Sequence, residues 1–161
     1  MIILEFTVVN FGIFFDIHFN NFSWEGIAAI GFGFVMLSLL LKVPAKTIGI
    51  IGLLIIFCHE LFSLIPLRDG SLIKTILSPL FVPGGFPITS KITFLIAYPP
   101  IPWLGIMLTG FAAGTFFQLS SEKRKRIFLM IGLSALALFI VIRFINVYGD
   151  PAPWSHQKNG L

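Results

Sequence analysis

Residues 123–148 read KRKRIFLMIGLSALALFIVIRFINVY, and the fold class follows from them. After Lys123-Arg124-Lys125-Arg126 the chain runs from Ile127 to Tyr148 with Arg143 as its one charge. A helix needs roughly 20 predominantly apolar residues to cross the hydrocarbon of a bilayer. This stretch has that length, and a basic cluster at its head is the usual mark of a cytoplasmic anchor rather than of a nucleic-acid patch.

The rest of the chain has the same character. Of 161 residues, 57% are hydrophobic and 11% charged, with 19 Phe among them. Soluble domains carry about 25% charged residues, so this chain cannot cover a surface with charge; its mean hydropathy is +0.97. The formal charge of +4 lies largely in the basic cluster and implies no nucleic-acid partner. Cys58 is the single cysteine, so no internal disulfide forms. Met1-Ile2-Ile3-Leu4 has no basic n-region and meets Glu5 inside the apolar run, which makes a poor signal peptide and reads as a helix entered part-way along.

Hydrophobic runs predict an all-α integral membrane protein with about five transmembrane helices of a larger bundle, as one domain over 1–161. The segments are 2–15, 26–41, 47–64, 101–118 and 127–148. Lys42 and Lys46 flank the second-to-third turn, and Lys123 to Arg126 fill the fourth-to-fifth. Both turns therefore face the cytoplasm. Asp16, His18, Glu25 and everything past Tyr148 then fall outside. The stretch 65–97 is too broken to span. Within it Leu72, Ile73, Ile76, Leu77, Leu80 and Phe81 recur at helical spacing behind Ser71, a suitable N-cap. A short interfacial or re-entrant helix is expected there, ended by Pro83-Gly84-Gly85.

Trp24, Tyr98, Trp103, Tyr148 and Trp154 all map to the outer boundary in this topology. They are belt anchors, or else the walls of an outward vestibule in which flat rings stack on a polar ligand such as a sugar. Ionisable residues within the segments are costly and so are functional candidates: Glu5, His59, Glu60 and Arg143. His59, Glu60 and Arg143 each lie about five residues from an outer end, roughly 7 Å deep at 1.5 Å per residue. Either Glu60 or Glu5 pairs with Arg143 while His59 faces an outward cavity, or Glu60 and Arg143 snorkel to the headgroups. Gly105, Gly110 and Gly114 form a small-residue face, the last two as a GxxxG packing motif. Pro102 suits the first position of the fourth helix. No metal spacing, GxSxG, phosphate loop or dinucleotide fingerprint is present, so no metal is expected.

Two blocks carry a resemblance. Tyr98-Pro99-Pro100-Ile101-Pro102-Trp103-Leu104-Gly105-Ile106-Met107, followed by Gly110 and Gly114, is one. Arg143-Phe144-Ile145-Asn146-Val147-Tyr148-Gly149-Asp150-Pro151-Ala152-Pro153-Trp154 is the other. With Leu4-Glu5-Phe6-Thr7-Val8-Val9 and the His59 region, they make the chain resemble bacterial members of the DUF1624 family, related to the catalytic domain of heparan-alpha-glucosaminide N-acetyltransferase. Asn10 and Glu60 depart from the family pattern, which has Arg and Asn at those places. Family members also resemble a longer bundle, with an Asp-His-Xaa-Arg-like motif before this chain's start and further helices after its Pro-Trp block. The chain is expected to be a fragment truncated at both ends and inactive alone.

The resemblance implies transfer of an acetyl or other acyl group from cytosolic acyl-CoA, as co-substrate, to a sugar acceptor on the outer side of the bacterial inner membrane. His59 is the catalytic candidate under it, with a purely structural histidine as the alternative. Glu5, Glu60, Arg143, Asn146 and Asp150 form the polar-layer candidates, and Tyr98, Trp103 and Trp154 the outer aromatic ones. A transporter or permease subunit and a non-catalytic membrane scaffold are the other readings. Acceptor, acyl group and oligomeric state are not legible.

Overall fold

The computed structural model describes residues 1–18, 20–64 and 71–146. It is mostly helical, and its contacts divide into one compact unit over Met1–Thr115 and a second that begins at Phe116. In the first unit, helix α1 (Ile2–Phe14) leads to strand β1 (Asn21–Trp24), α2 (Gly26–Leu39), α3 (Ala45–Cys58) and the single turn α4 (Leu61–Leu64). There follow α5 (Leu72–Phe81), β2 (Gly84–Pro87), β3 (Thr93–Ile96) and α6 (Pro100–Ala113), which tightens into a 3-10 turn over Gly114–Gln118. The second unit is built on α7 (Ser121–Ile145).

Helix and connector assignments agree closely with the hydrophobic pattern, but the span count does not. Among the described residues, Pro100–Gln118 and Ser121–Ile145 are the two helices long and apolar enough to cross a membrane; Ile2–Phe14, Gly26–Leu39 and Ala45–Cys58 are apolar but shorter. Each is cut by local chemistry. Phe15 adopts a left-handed conformation (φ 51°) that ends α1. The main chain of α2 stops at Leu40, ahead of Lys42-Val43-Pro44. The third segment breaks at His59-Glu60. Fourteen residues make about 21 Å of helix against about 30 Å of hydrocarbon. The basic cluster is not a turn either. Lys123 to Arg126 lie inside the first turns of α7, whose N-cap is Ser120.

The connections between the helices include strands, which corrects the all-α expectation. Three four-residue strands form a sheet in the order β1-β3-β2. β1 runs parallel to β3, with Asn21 beside Thr93 and Trp24 beside Ile96. β2 runs antiparallel to it, with Gly84 beside Ile96. Thr89 closes the β2–β3 turn by accepting from the Lys91 and Ile92 N–H groups. Because β1 and β3 are parallel and lead almost directly into α2 and α6, these two helices leave the sheet in the same direction.

Helix α3 returns antiparallel against α6. A Cβ on Gly49 would touch Ala112, one on Gly52 would meet Thr109 and Gly105, and Gly105 faces Ile55. The close contact is made by Gly49 and Gly52 against Gly105, Thr109 and Ala112. Gly110 and Gly114 have nothing within 4 Å of an added Cβ, so within the first unit the close approach on this helix runs through Gly105. Pro100 occupies the first turn of α6 behind Pro99 as N-cap, two residues earlier than Pro102 was expected to do so. Pro102 still falls among the first N–H groups that no helix bonds.

What is buried and what is exposed inverts the habit of a soluble protein. α2 buries Ala28, Ala29, Gly31 and Gly33, while Phe34, Val35 and Leu39 are exposed. α3 buries Ile48, Gly49 and Gly52 and exposes Ile50, Leu53, Leu54 and Phe57. Along α7 no residue is buried. Small residues inward and large apolar residues outward is the arrangement of helices packed in lipid, and so much exposed apolar surface is unsustainable in water.

α5 forms as the periodicity predicts. The Ser71 hydroxyl accepts from the Lys74 N–H at 3.2 Å, and the helix ends before Pro83, with Pro79 already removing one donor near its end. Phe81 stacks on Phe62 at 4.7 Å. Ser71→Ala should lower helix stability by about 1 kcal/mol, read as faster amide exchange at Lys74 and Thr75.

Candidate functional site: the polar end of the first unit

α1 carries two fully buried polar side chains, Glu5 and Asn10. Five residues apart in an α-helix they would point about 140° away from each other. Here residues Glu5–Val9 form a π turn, and the Asn10 N–H bonds the Glu5 carbonyl. The i→i+5 closure brings Asn10 round onto the face of Glu5, so both meet the β1–α2 segment. The Thr7 hydroxyl donates to the Ile3 carbonyl at 2.8 Å beside this wide turn.

Glu5 takes two main-chain donors. Its Oε1 accepts from the Glu25 N–H at 3.0 Å and its Oε2 from the Ala28 N–H at 3.1 Å. Glu25 is the N-cap of α2 and makes no side-chain cap bond of its own. In a capping box two side chains satisfy the N-cap and N3 donors of their own helix; here one carboxylate from another helix satisfies both. The negative charge also suits the positive end of the α2 dipole. Both oxygens of Glu5, one of the two carboxylates expected as a partner for Arg143, are held by main-chain donors because Glu5 lies beside an uncapped helix start.

Asn10 does the same for β1. Its Nδ2 donates to the Asn21 carbonyl at 2.8 Å, and its Oδ1 accepts from the Ser23 N–H at 2.9 Å. An amide side chain thus imitates a neighbouring strand along β1, whose other edge is paired with β3. Sequence reasoning missed Asn10 and Ser23 as site residues. A polar side chain five places after Glu5 in an apolar run was the available signal, but at α-helical spacing it faces elsewhere.

Phe6, between these two, sits among Phe22 (6.3 Å), Trp24 (6.1 Å) and Phe94 (6.0 Å), and Trp24 meets Phe32 at 6.2 Å. Trp24 therefore joins the sheet to α1 and α2. Tyr98 and Trp103 form an edge-to-face pair at 5.0 Å where β3 passes into α6. Trp154, Asp150 and Tyr148 lie outside the described residues.

His59 and Glu60 occupy the break after α3. Since Gly49, Gly52 and Ile55 climb α6 toward Gly105, the break lies at the end where α6 begins, the sheet end. His59 Nδ1 is 2.8 Å from the Ile56 carbonyl, and its Nε2 is 3.8 Å from Glu60 Oε1. The two side chains remain 25% and 32% exposed. In the second unit, Arg143 is in the last turn of α7, where a cation suits the helix dipole. Asn146 is the left-handed residue (φ 53°) that ends that helix. Asn tolerates this conformation better than most residues, so a terminating role accounts for it.

No family model, curated protein or solved structure matches this chain. Among the described residues no three His, Cys, Asp or Glu side chains gather as metal ligands.

Two carboxyls at the sheet end titrate with opposite consequences. For Asp16, desolvation pushes the carboxyl up, but the N–H groups of Asn20, His18 and Asn21, together with the His18 charge, outweigh it and hold the pKa below its ordinary value. A depressed carboxyl contributes stability above its unfolded pKa and loses it as pH falls through the folded one. Glu25 is raised, by burial first and by the Glu5 charge second. Its contribution is present below the unfolded pKa and lost as pH rises through the folded one. Asp16→Asn should therefore flatten the acid limb of a melting-temperature profile in detergent. Glu25→Gln should raise stability at neutral pH and leave it unchanged in acid.

Proposed function

We propose that this chain is part of a multi-pass membrane acyltransferase that moves an acetyl or related acyl group from cytosolic acyl-CoA to a sugar acceptor on the outer side of a bacterial inner membrane. The observation that carries the reading is that the sheet end of the first unit holds Glu5 on the Glu25 N–H, His59 beside Glu60 and Tyr98 against Trp103, as three separate local groups, with Lys42 and Lys46 at the other end. A catalytic end facing outward and a basic end facing the cytoplasm suit a reaction whose donor and acceptor lie on opposite sides. The resemblance of the Tyr98–Met107 and Arg143–Trp154 blocks to DUF1624 proteins supplies the reaction class.

In this reading the three shorter apolar helices lie in the same bilayer as Pro100–Gln118 and Ser121–Ile145. The Lys42/Lys46 turn and the Lys123 to Arg126 cluster face the cytoplasm, and α5 lies in the outer interface. Cysteines placed singly at Asp16 and at Lys46, in a Cys58→Ser background, test this orientation. An impermeant maleimide applied to intact cells should label the first and spare the second.

The reaction is tested with membranes containing the product of the gene's full-length frame, labelled acetyl-CoA and amino sugars. Label on the sugar is expected, and Arg143→Leu should abolish it. No label with any amino sugar would overturn the acyl-transfer reading. The scaffold reading keeps one observation in its favour: Glu5 and Asn10 are wholly engaged in holding α2 and β1. It requires Arg143→Leu to leave function intact.

A further inference from the structure

We propose that His59 acts as a general base through its Nε2 atom, and that the break in α3 is what selects that atom. The His59 N–H still bonds the Ile55 carbonyl at 3.0 Å, and the residue keeps helical backbone angles. One residue later the helix is interrupted. In an unbroken helix the Ile56 carbonyl would receive the Glu60 N–H; here the imidazole Nδ1 of His59 stands 2.8 Å from it. A carbonyl oxygen only accepts, so Nδ1 carries the hydrogen. A neutral imidazole has a single N–H, which leaves the lone pair on Nε2.

That nitrogen is reachable. The His59 side chain is a quarter exposed at the polar end of the unit, and Glu60 Oε1 at 3.8 Å is beyond hydrogen-bond distance, so it does not occupy Nε2. Glu5 and Asn10 are both committed to main-chain partners, and His18 stands in the loop after α1.

The substrate class rests on the acyl-transfer reading: an acceptor bearing an amine or hydroxyl, and an acyl thioester whose long arm enters from the cytoplasmic side and carries its carbonyl carbon to the sheet end. The acceptor's N–H or O–H proton passes to Nε2 while its lone pair bonds the acyl carbonyl carbon. The C–S bond breaks, the thiolate leaves with that electron pair, and the imidazolium returns the proton to it. The Ile56 carbonyl orients the ring.

The test uses the whole chain in lipid nanodiscs with ¹⁵N-labelled histidine, the His59 signals being assigned by their loss in His59→Gln. Two-bond ¹H–¹⁵N correlations should show His59 protonated at Nδ1 in its neutral form; protonation at Nε2 would overturn the proposal. In the acetyl-labelling assay His59→Asn, which keeps a donor for the Ile56 carbonyl and removes Nε2, should slow transfer by about 10²–10⁴-fold. Wild-type rates in that variant would also overturn it. If the wild-type protein transfers no acetyl group, the acyl-transfer reading fails and the base role falls with it, while the nitrogen spectrum still decides which nitrogen the helix break leaves unprotonated.

Discussion

Gly52→Ala should destabilise the first unit by about 2 kcal/mol, whereas Gly110→Ala should stabilise α6 by up to about 1 kcal/mol. Alanine is the better helix former by about 1 kcal/mol, so a loss at Gly52 has to come from packing. A Cβ there would stand 2.5 Å from the Thr109 hydroxyl, 2.7 Å from its main-chain nitrogen and 2.8 Å from the Gly105 carbonyl. Two of those atoms are backbone and cannot step aside. α3 and α6 must separate, at the cost of about 1–3 kcal/mol typical of overpacking in addition to the forgone propensity gain. Around Gly110 nothing lies within 4 Å, so only the propensity term acts. Equilibrium unfolding of the two variants in mixed detergent micelles gives both signs at once. A stabilised Gly52→Ala protein would mean that α3 and α6 do not cross at this point. Gly33 makes a milder case, because the atoms its Cβ would strike belong to the flexible Met107 side chain.

Glu5→Ala should cost about 3–5 kcal/mol. Two charge-assisted bonds at about 1.5–3 kcal/mol each are lost, and the Glu25 and Ala28 N–H groups are left without that acceptor at a buried helix start. Glu5→Gln should fall between, since its amide offers one acceptor oxygen and turns a donor toward the other N–H. The local signature is hydrogen exchange. The Glu25 and Ala28 amides should exchange faster in Glu5→Ala, while Ser23, held by Asn10, changes less. The pattern reverses in Asn10→Ala. Unchanged exchange at Ala28 would show that Glu5 does not cap α2.

The two effects differ in how much of them was legible in residues alone. Gly52 and Gly105 are ordinary small residues in apolar helices, and nothing in the sequence sets them above Gly110 and Gly114, which form the more familiar spacing. Which glycines meet depends on how α3 and α6 rotate about their axes, and that rotation is a property of the pair. Glu5 stood out as a charge in an apolar run, and its cost was clear. Its partner was not, because the donors that hold it are main-chain groups of a segment twenty residues away, which no residue type announces.

Apart from the end of α3 and the start of α7, each six residues away from expectation, the residue pattern alone gave the helical class, the helix boundaries to within a few residues, the Ser71 cap and the excess of apolar surface. These depend on hydrophobic runs, on caps and on proline, all of which act over a few neighbouring residues. Only the tertiary structure decided the rest. Three four-residue strands are too short to show a period of two, and they exist because β3 pairs with β1 and β2. The π turn that puts Glu5 and Asn10 on one face costs α1 its regular hydrogen bonding, and it is stabilised by the contacts both side chains make with β1 and α2. The break at His59-Glu60 lies in a stretch that reads as continuous helix. There the imidazole takes over the carbonyl of Ile56, an exchange between side chain and backbone that hydrophobic periodicity cannot register.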